Sequence, residues 1–236
     1  MNSSAAYRMA GRLAILHALL IFVPLGVLGV AIGWPANLDL PASHNLPLVL
    51  SQSIAVKIGY SSYLLYSLLF FPAMLLIGEA VSGKRPMSAI IKIALGFALI
   101  STLARCLGII RWLSVMPVLA NKFEKADAIG QGQISVIYEA FNTYSGSIGE
   151  VLGVSLFASI AVGLLSLEMP KGRRFPKWIA LIGLVASCGY VFLSMEIFGF
   201  DLGVYISPVS VIYTVWVICA AVFMILRSEA LSEDAK

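Results

Sequence analysis

Charge is scarce in this chain. Only 12% of its 236 residues are Asp, Glu, Lys or Arg, where a soluble domain carries roughly 25%. The shortage argues against a water-solvated globule. It also argues against a nucleic-acid surface: the net charge is only +4, and the cations come in short clusters between apolar runs. Histidine is scarcer still. His17 and His44 stand in different segments, so they can neither bracket a haem across a membrane nor form a three-histidine zinc site. The three cysteines, Cys106, Cys188 and Cys219, lie inside apolar runs without CxxC spacing, so core packing is expected of them rather than disulfides or metal. No cofactor is expected.

What is present is apolar. Hydrophobic residues make up 60% of the chain, and the mean hydropathy is +0.94. Six stretches reach the ~20 residues that a ~30 Å hydrocarbon core requires. They cover about residues 13–33, 57–81, 89–113, 144–167, 178–199 and 205–226. The fold class expected is therefore all-α, an integral membrane bundle of six transmembrane helices forming one domain over residues 1–236. Turn-forming residues mark the breaks: Trp34-Pro35, Gly83-Lys84-Arg85-Pro86, Pro170-Lys171-Gly172 and Asp201-Leu202-Gly203.

Lys and Arg near the span ends set the orientation. With alternating ends, Arg8, Arg12, Lys84, Arg85, Lys92, Lys171, Arg173, Arg174, Lys177, Arg227 and Lys236 share one side, against Lys57, Lys122 and Lys125 on the other. Both termini are expected in the cytoplasm. The first apolar run is too long for a secretory core of about 7–15 residues and no small-residue cleavage site follows promptly, so it is expected to be retained. Residues 114–126 mix apolar and charged positions as a short interfacial helix would. From Ile134 to Leu167 the helical pattern outruns the bilayer, which predicts a kink near Gly146 or Gly149.

Against this background, a few ionisable residues stand inside the apolar runs. Arg105 and Arg111 fall in the third, and Glu139 and Glu150 in or beside the fourth. A charge in hydrocarbon costs at least about 3 kcal/mol on insertion scales, so such groups face partners or water and mark candidate sites. At about 1.5 Å per residue, Arg105 and Glu150 lie at similar depth, which makes them expected ion-pair partners. Arg111 lies level with Glu139, Asn142 and Tyr144. Glu139, Thr143, Gly146 and Glu150 would share one stripe of a continuous helix. Gly146, Gly149 and Gly153 offer the small surface that lets membrane helices approach closely. The candidate ligand-binding set is Arg105, Arg111, Glu139, Asn142, Tyr144 and Glu150.

Other motifs fail on inspection. Gly78-Glu79-Ala80-Val81-Ser82-Gly83-Lys84 has phosphate-loop spacing, but Arg85 replaces the magnesium-binding hydroxyl and no strand precedes it. Ser147 and Gly149 imitate part of a nucleophile elbow, with Ser145 where its first glycine belongs.

Arg12-Leu13 before the first helix, the third-helix run LARCLGIIRWLSVMP and Gly149-Glu150-Val151-Leu152-Gly153 together resemble a family of bacterial six-helix membrane proteins. Phe175-Pro176-Lys177-Trp178-Ile179 and Leu181-Ile182-Gly183-Leu184 add to the likeness. That family is known as a domain of unknown function, number four-three-eight-six. The resemblance implies a six-helix integral membrane protein, expected in a bacterial inner membrane, and carries no activity.

Three functions follow from the residues. In the first, an outward-opening polar cavity binds or transports a small polar, anionic or lipid-headgroup ligand, with the arginines as bidentate donors. In the second, the chain is an accessory or sensory subunit whose charges only set packing, with a membrane-protein partner or a second copy of itself. In the third, Glu150 or Glu139 is the general base of a lipid-modifying enzyme. No nucleophile or metal set supports the third, so the reading leans away from catalysis. The lipid bilayer is the one partner common to all three. Reporter fusions check the topology: a fluorescent protein at the C-terminus should fluoresce, and alkaline phosphatase inserted after Pro41 or Lys125 should be active. Phosphatase activity after Lys84 instead would reverse the orientation.

Overall fold

The computed structural model of the protein describes residues 3–171, 174–200 and 202–233. Arg173, Asp201 and Lys236, used in the sequence reading, lie outside them. The chain is 86% helical, and no strand occurs among the described residues.

The first span consists of α1 (Ser4–Leu20) and α2 (Phe22–Ile32), broken at Ile21. Pro24 explains the break, because it has no N–H to give the Leu20 carbonyl. Gly33 closes α2 in the left-handed region at φ 71°, its N–H bonding back to Gly29. After it come α3 (Ala42–Ser51), α4 (Ser53–Ser82) and α5 (Ala89–Leu113). The limits of α5 are those expected from the apolar run. Next is α6 (Val115–Lys125), the short amphipathic helix read from residues 114–126. Its buried face is Met116, Leu119, Ala120 and Phe123, at helical spacing, with Lys122, Glu124 and Lys125 exposed.

The fourth span is the long one. It runs through α7 (Ala128–Gly146), an 11-residue π-helical stretch (Ser147–Phe157) and α8 (Ala158–Glu168). In place of the kink expected near Gly146 or Gly149, the helix continues with a widened hydrogen-bond ladder. After α8 come α9 (Lys177–Leu193), a 3₁₀ turn (Ser194–Phe198), α10 (Gly203–Leu226) and α11 (Ser228–Glu233). Among the described residues, six helical stretches are long and apolar enough to cross a membrane. Their outward side chains include Val30, Ile54, Val204 and Leu226, all more than seven-tenths exposed. Such surfaces are an aggregation hazard in water and suit lipid.

The contacts fall into two compact units. The first comprises Met1–Leu19, Leu68–Leu103 and Val151–Lys236. Its core includes Phe70, Met74, Ile77, Leu165, Tyr213 and Trp216, with α9 packed on both α8 and α10. Ala10, Ala14 and Ala18 recur every fourth residue on the buried face of α1, where their small side chains permit close approach. His17 is fully buried there, its Nε2 2.9 Å from the Tyr213 hydroxyl, as expected of a polar residue at a helix interface. Arg174 donates to the Leu231 carbonyl (2.6 Å) and the Tyr7 hydroxyl (2.8 Å), which ties α11 down.

The second unit comprises Leu20–Ser67 and Ala104–Glu150. Its core gathers Leu28, Leu46, Val56, Trp112, Met116 and Tyr138, with α3 against α6 and α7 and with α6 also on α7. All three cysteines are free. Cys188 is exposed and the other two are partly buried, so core packing describes Cys106 and Cys219 better than Cys188.

Two backbones of this unit approach closely at Gly108 and Gly149. A Cβ on Gly108 would stand 2.6 Å from the Gly149 Cα, and one on Gly149 would stand 2.8 Å from the Gly108 Cα. Backbone cannot yield as a flexible side chain can, so each position excludes even a methyl group. Gly108→Ala should therefore cost about 1–3 kcal/mol by overpacking, read as a lowered thermal midpoint in detergent. Gly96→Ala meets nothing within 4 Å and should leave the midpoint unchanged or raise it.

Candidate functional site

All six candidate residues, Arg105, Arg111, Glu139, Asn142, Tyr144 and Glu150, belong to the second unit. α5 carries the two arginines. An exposed stripe of Leu103, Leu107 and Ile110 leaves the rest of this helical stretch to face protein. Both guanidinium groups turn inward, Arg105 at 2% exposure and Arg111 at 4%. Two arginines about 120° apart on one helix can both be buried because neighbours cover more than one of its sides. Arg105 lies by the Tyr66 hydroxyl on α4, within hydrogen-bonding reach.

Glu150 is met by Arg111 rather than by the depth-matched Arg105. Arg111 Nη2 donates to Glu150 Oε1 at 3.0 Å, and Nη1 donates to the Gly108 carbonyl at 3.0 Å. The contact between Gly108 and Gly149 explains the exchange. It fixes where the two helices cross, and the residue one position past Gly149 then meets the residue three positions past Gly108. The depth estimate began the fourth span at residue 144, whereas its helix begins at Ala128.

Aromatic rings floor the pair. The Arg111 guanidinium carbon lies 5.6 Å from the Trp112 ring centroid, and Tyr60 stacks on Trp112 at 5.1 Å with the planes 4° apart. The Tyr60 hydroxyl is within electrostatic reach of Arg111, Glu150 and Tyr138. Gly146 leaves room for the guanidinium: a Cβ there would stand 3.5 Å from Arg111 Nη2 and 3.9 Å from Glu150 Oε1. Asn142 precedes Gly146 by one helical turn, on the same face. It is buried, and its Nδ2 donates to the Leu38 carbonyl at 2.9 Å.

Three buried polar atoms in this neighbourhood find no hydrogen-bond partner among the described residues: the Tyr60 hydroxyl, Arg111 Nε and Asn142 Oδ1. Glu150 keeps 42% of its side chain exposed, whereas its arginine is enclosed. The other two candidates do not join the cluster. Glu139 is exposed and Tyr144 is 70% exposed, both on the outer side of α7. The stripe supposed to carry Glu139 to Glu150 is interrupted where the helix widens after Gly146.

Some participants were not assigned to the site from sequence. Tyr60 reads as a belt residue, with nothing nearby to set it apart. Asn45 and Tyr138 sit in ordinary amphipathic runs. Asn45 Nδ2 reaches the Asn37 carbonyl (2.9 Å), the Leu40 carbonyl (3.0 Å) and the Tyr138 hydroxyl (2.8 Å), binding the segment between α2 and α3 to α7. Asp39, in that same segment, lies within electrostatic reach of Glu150. Among the described residues, no group of three or more His, Cys, Asp or Glu is placed to hold a metal ion.

A helical, multi-pass membrane protein with an enclosed arginine paired to a partly exposed glutamate is thus defined. Residues 9–227 match the family described as "Domain of unknown function (DUF4386)", and the chain belongs to that family. No curated protein and no solved structure matches it.

Hydrogen-bond accounting separates the roles of the buried groups. Asn45→Leu should lower stability by about 1–3 kcal/mol, because it leaves buried carbonyls unsatisfied. Tyr60→Phe removes a hydroxyl that has no partner and should be neutral or stabilising. Thermal unfolding of the purified variants in one detergent gives the comparison; a large loss in Tyr60→Phe would mean that the hydroxyl is bonded in the folded protein.

Proposed function

We propose that the protein binds or transports a small polar or lipid-headgroup ligand at Arg111, Glu150, Asn142 and Tyr60. The ligand would reach them from the outward side of a bacterial inner membrane. The observation that carries this reading is the set of three unpartnered buried atoms beside a half-exposed carboxylate. Each such atom costs about 1–3 kcal/mol when left unsatisfied, and a ligand offering complementary groups would recover that. The set holds donors at Arg111 and Tyr60 and an acceptor at Asn142, so the ligand would carry both kinds of group.

The alternative in which the pair only sets packing rests on the Gly108–Gly149 crossing, which places Arg111 against Glu150 whether or not a ligand exists. The two readings part in a thermal-shift screen of purified protein against ethanolamine, glycerol phosphate, propionate, phosphatidylglycerol and phosphatidylethanolamine. Ligand binding requires at least one of these to raise the midpoint of the wild type, with the rise lost in Asn142→Leu and in Arg111→Lys. No response across the panel, or an equal response in both variants, would leave packing as the role of the pair.

A further inference from the structure

The way Arg111 is held says more about what could replace Glu150. A guanidinium offers carboxylates a planar edge of two parallel donors, and occupying both is the stronger arrangement. Here the edge formed by Nη2 and Nε is half used. Nη2 bonds a single glutamate oxygen, while Nε lies buried with no partner among the described residues. Nη1 is already committed to the Gly108 carbonyl, so it anchors the group and leaves that edge for an incoming anion. The Tyr60 hydroxyl, also unpartnered, is a further donor close to the same charges.

Glu150 is built to give way. It sits in the π-helical stretch, four residues into Ser147–Phe157, with much of its side chain exposed. Conversion between π and α winding turns a side chain about the helix axis, so a change of winding there would move Glu150 off the arginine. Gly146, one turn before it, puts no side chain in the way. A carboxylate separated from its arginine in apolar surroundings is costly, and taking up a proton removes the cost. The groups facing Glu150 are Arg111 on α5, Tyr60 on α4 and Asp39 between α2 and α3. Of these only Arg111 is positive. Once a ligand anion occupies it, a Glu150 that stayed charged would be a second anion beside one cation, with the Asp39 carboxylate also within electrostatic reach.

We infer that the ligand is a carboxylate monoanion which displaces Glu150 from the Nη2–Nε edge of Arg111, and that Glu150 takes up one proton as it leaves. This rests on the ligand-binding reading above and deepens it. The balance is simple: one anion and one proton enter, the arginine keeps one counter-charge, and the net charge of the site is unchanged. Binding of the anion is thereby linked to proton uptake, which would make transport by this site an anion–proton symport.

The test uses full-length protein in detergent, with propionate as a short free acid and laurate in mixed micelles as a membrane-borne one. Calorimetric titration in two buffers of different ionisation enthalpy counts the protons taken up. Wild type should take up close to one proton per carboxylate, and its affinity should fall about tenfold per pH unit above neutrality, the slope of one linked proton. Glu150→Gln should still bind, with no proton uptake and no such slope. Arg111→Lys, which keeps the charge but not the fork, should lose at least tenfold in affinity. Size-exclusion profiles verify that both variants fold. Binding of propionate but not laurate, or the reverse, assigns the source of the acid. Equal proton uptake in wild type and Glu150→Gln overturns the inference, as does failure of both acids to bind. If another member of the polar panel binds through Asn142 and Arg111 while neither acid does, the ligand-binding reading survives and only the carboxylate exchange falls. If nothing binds, both fall.

Discussion

The cost of placing charge in an apolar surrounding governs the second unit. Arg111 is almost wholly enclosed, yet it lies on a helix whose neighbouring positions are leucine and isoleucine facing outward. Such a guanidinium persists only if its charge is balanced and its N–H groups are occupied. Glu150 balances the charge, it and the Gly108 carbonyl each take one N–H, and the Trp112 ring adds an electrostatic contact. Strong as this solution is, it is incomplete, because one nitrogen of the arginine, Nε, has no partner among the described residues. Stability alone does not call for that remainder.

Small residues make the pair geometrically possible. Glycines 108 and 149 bring two backbones together with no side chain between them, and that contact sets the register of everything on either side. Gly146 then opens the space in which the guanidinium and carboxylate meet. The polar link and the small-residue surface are thus one arrangement. The π winding that starts at Ser147 adds the possibility of movement where Glu150 is attached. A second polar network, centred on Asn45, occupies the carbonyls of the segment between α2 and α3. Buried backbone there has no ladder of its own, so an asparagine with several acceptors in reach supplies the order.

Legibility in the sequence follows the range of the interaction concerned. The six spans are local facts, since an apolar run about 20 residues long is visible without knowing what it packs against; α5 emerges with the limits read from its run. The amphipathic α6 is equally local, because four buried residues at helical spacing announce a covered face. That Arg105, Arg111, Asn142 and Glu150 belong to one compact unit could be reached from span order and residue count. The partner of Glu150 could not. A depth estimate assumes straight α-helices starting at a membrane boundary, and the fourth span starts earlier and changes winding. Glu139 and Tyr144 illustrate the same limit, since their faces depend on which side of α7 the rest of the unit covers.

Composition and periodicity by themselves determined that the chain is helical, has six apolar runs long enough to cross a membrane and carries a few charges too costly to be incidental. These are consequences of solvent and of backbone repeat, which each segment obeys on its own. Only the tertiary structure decided which arginine meets Glu150, that Tyr60, Arg111 and Asn142 keep unpartnered atoms, and that Glu150 stays partly exposed while its arginine is enclosed. The physical reason is that pairing and exposure depend on where two helices cross. That crossing is set by backbone contact between Gly108 and Gly149, residues far apart in the chain whose meeting leaves no local trace.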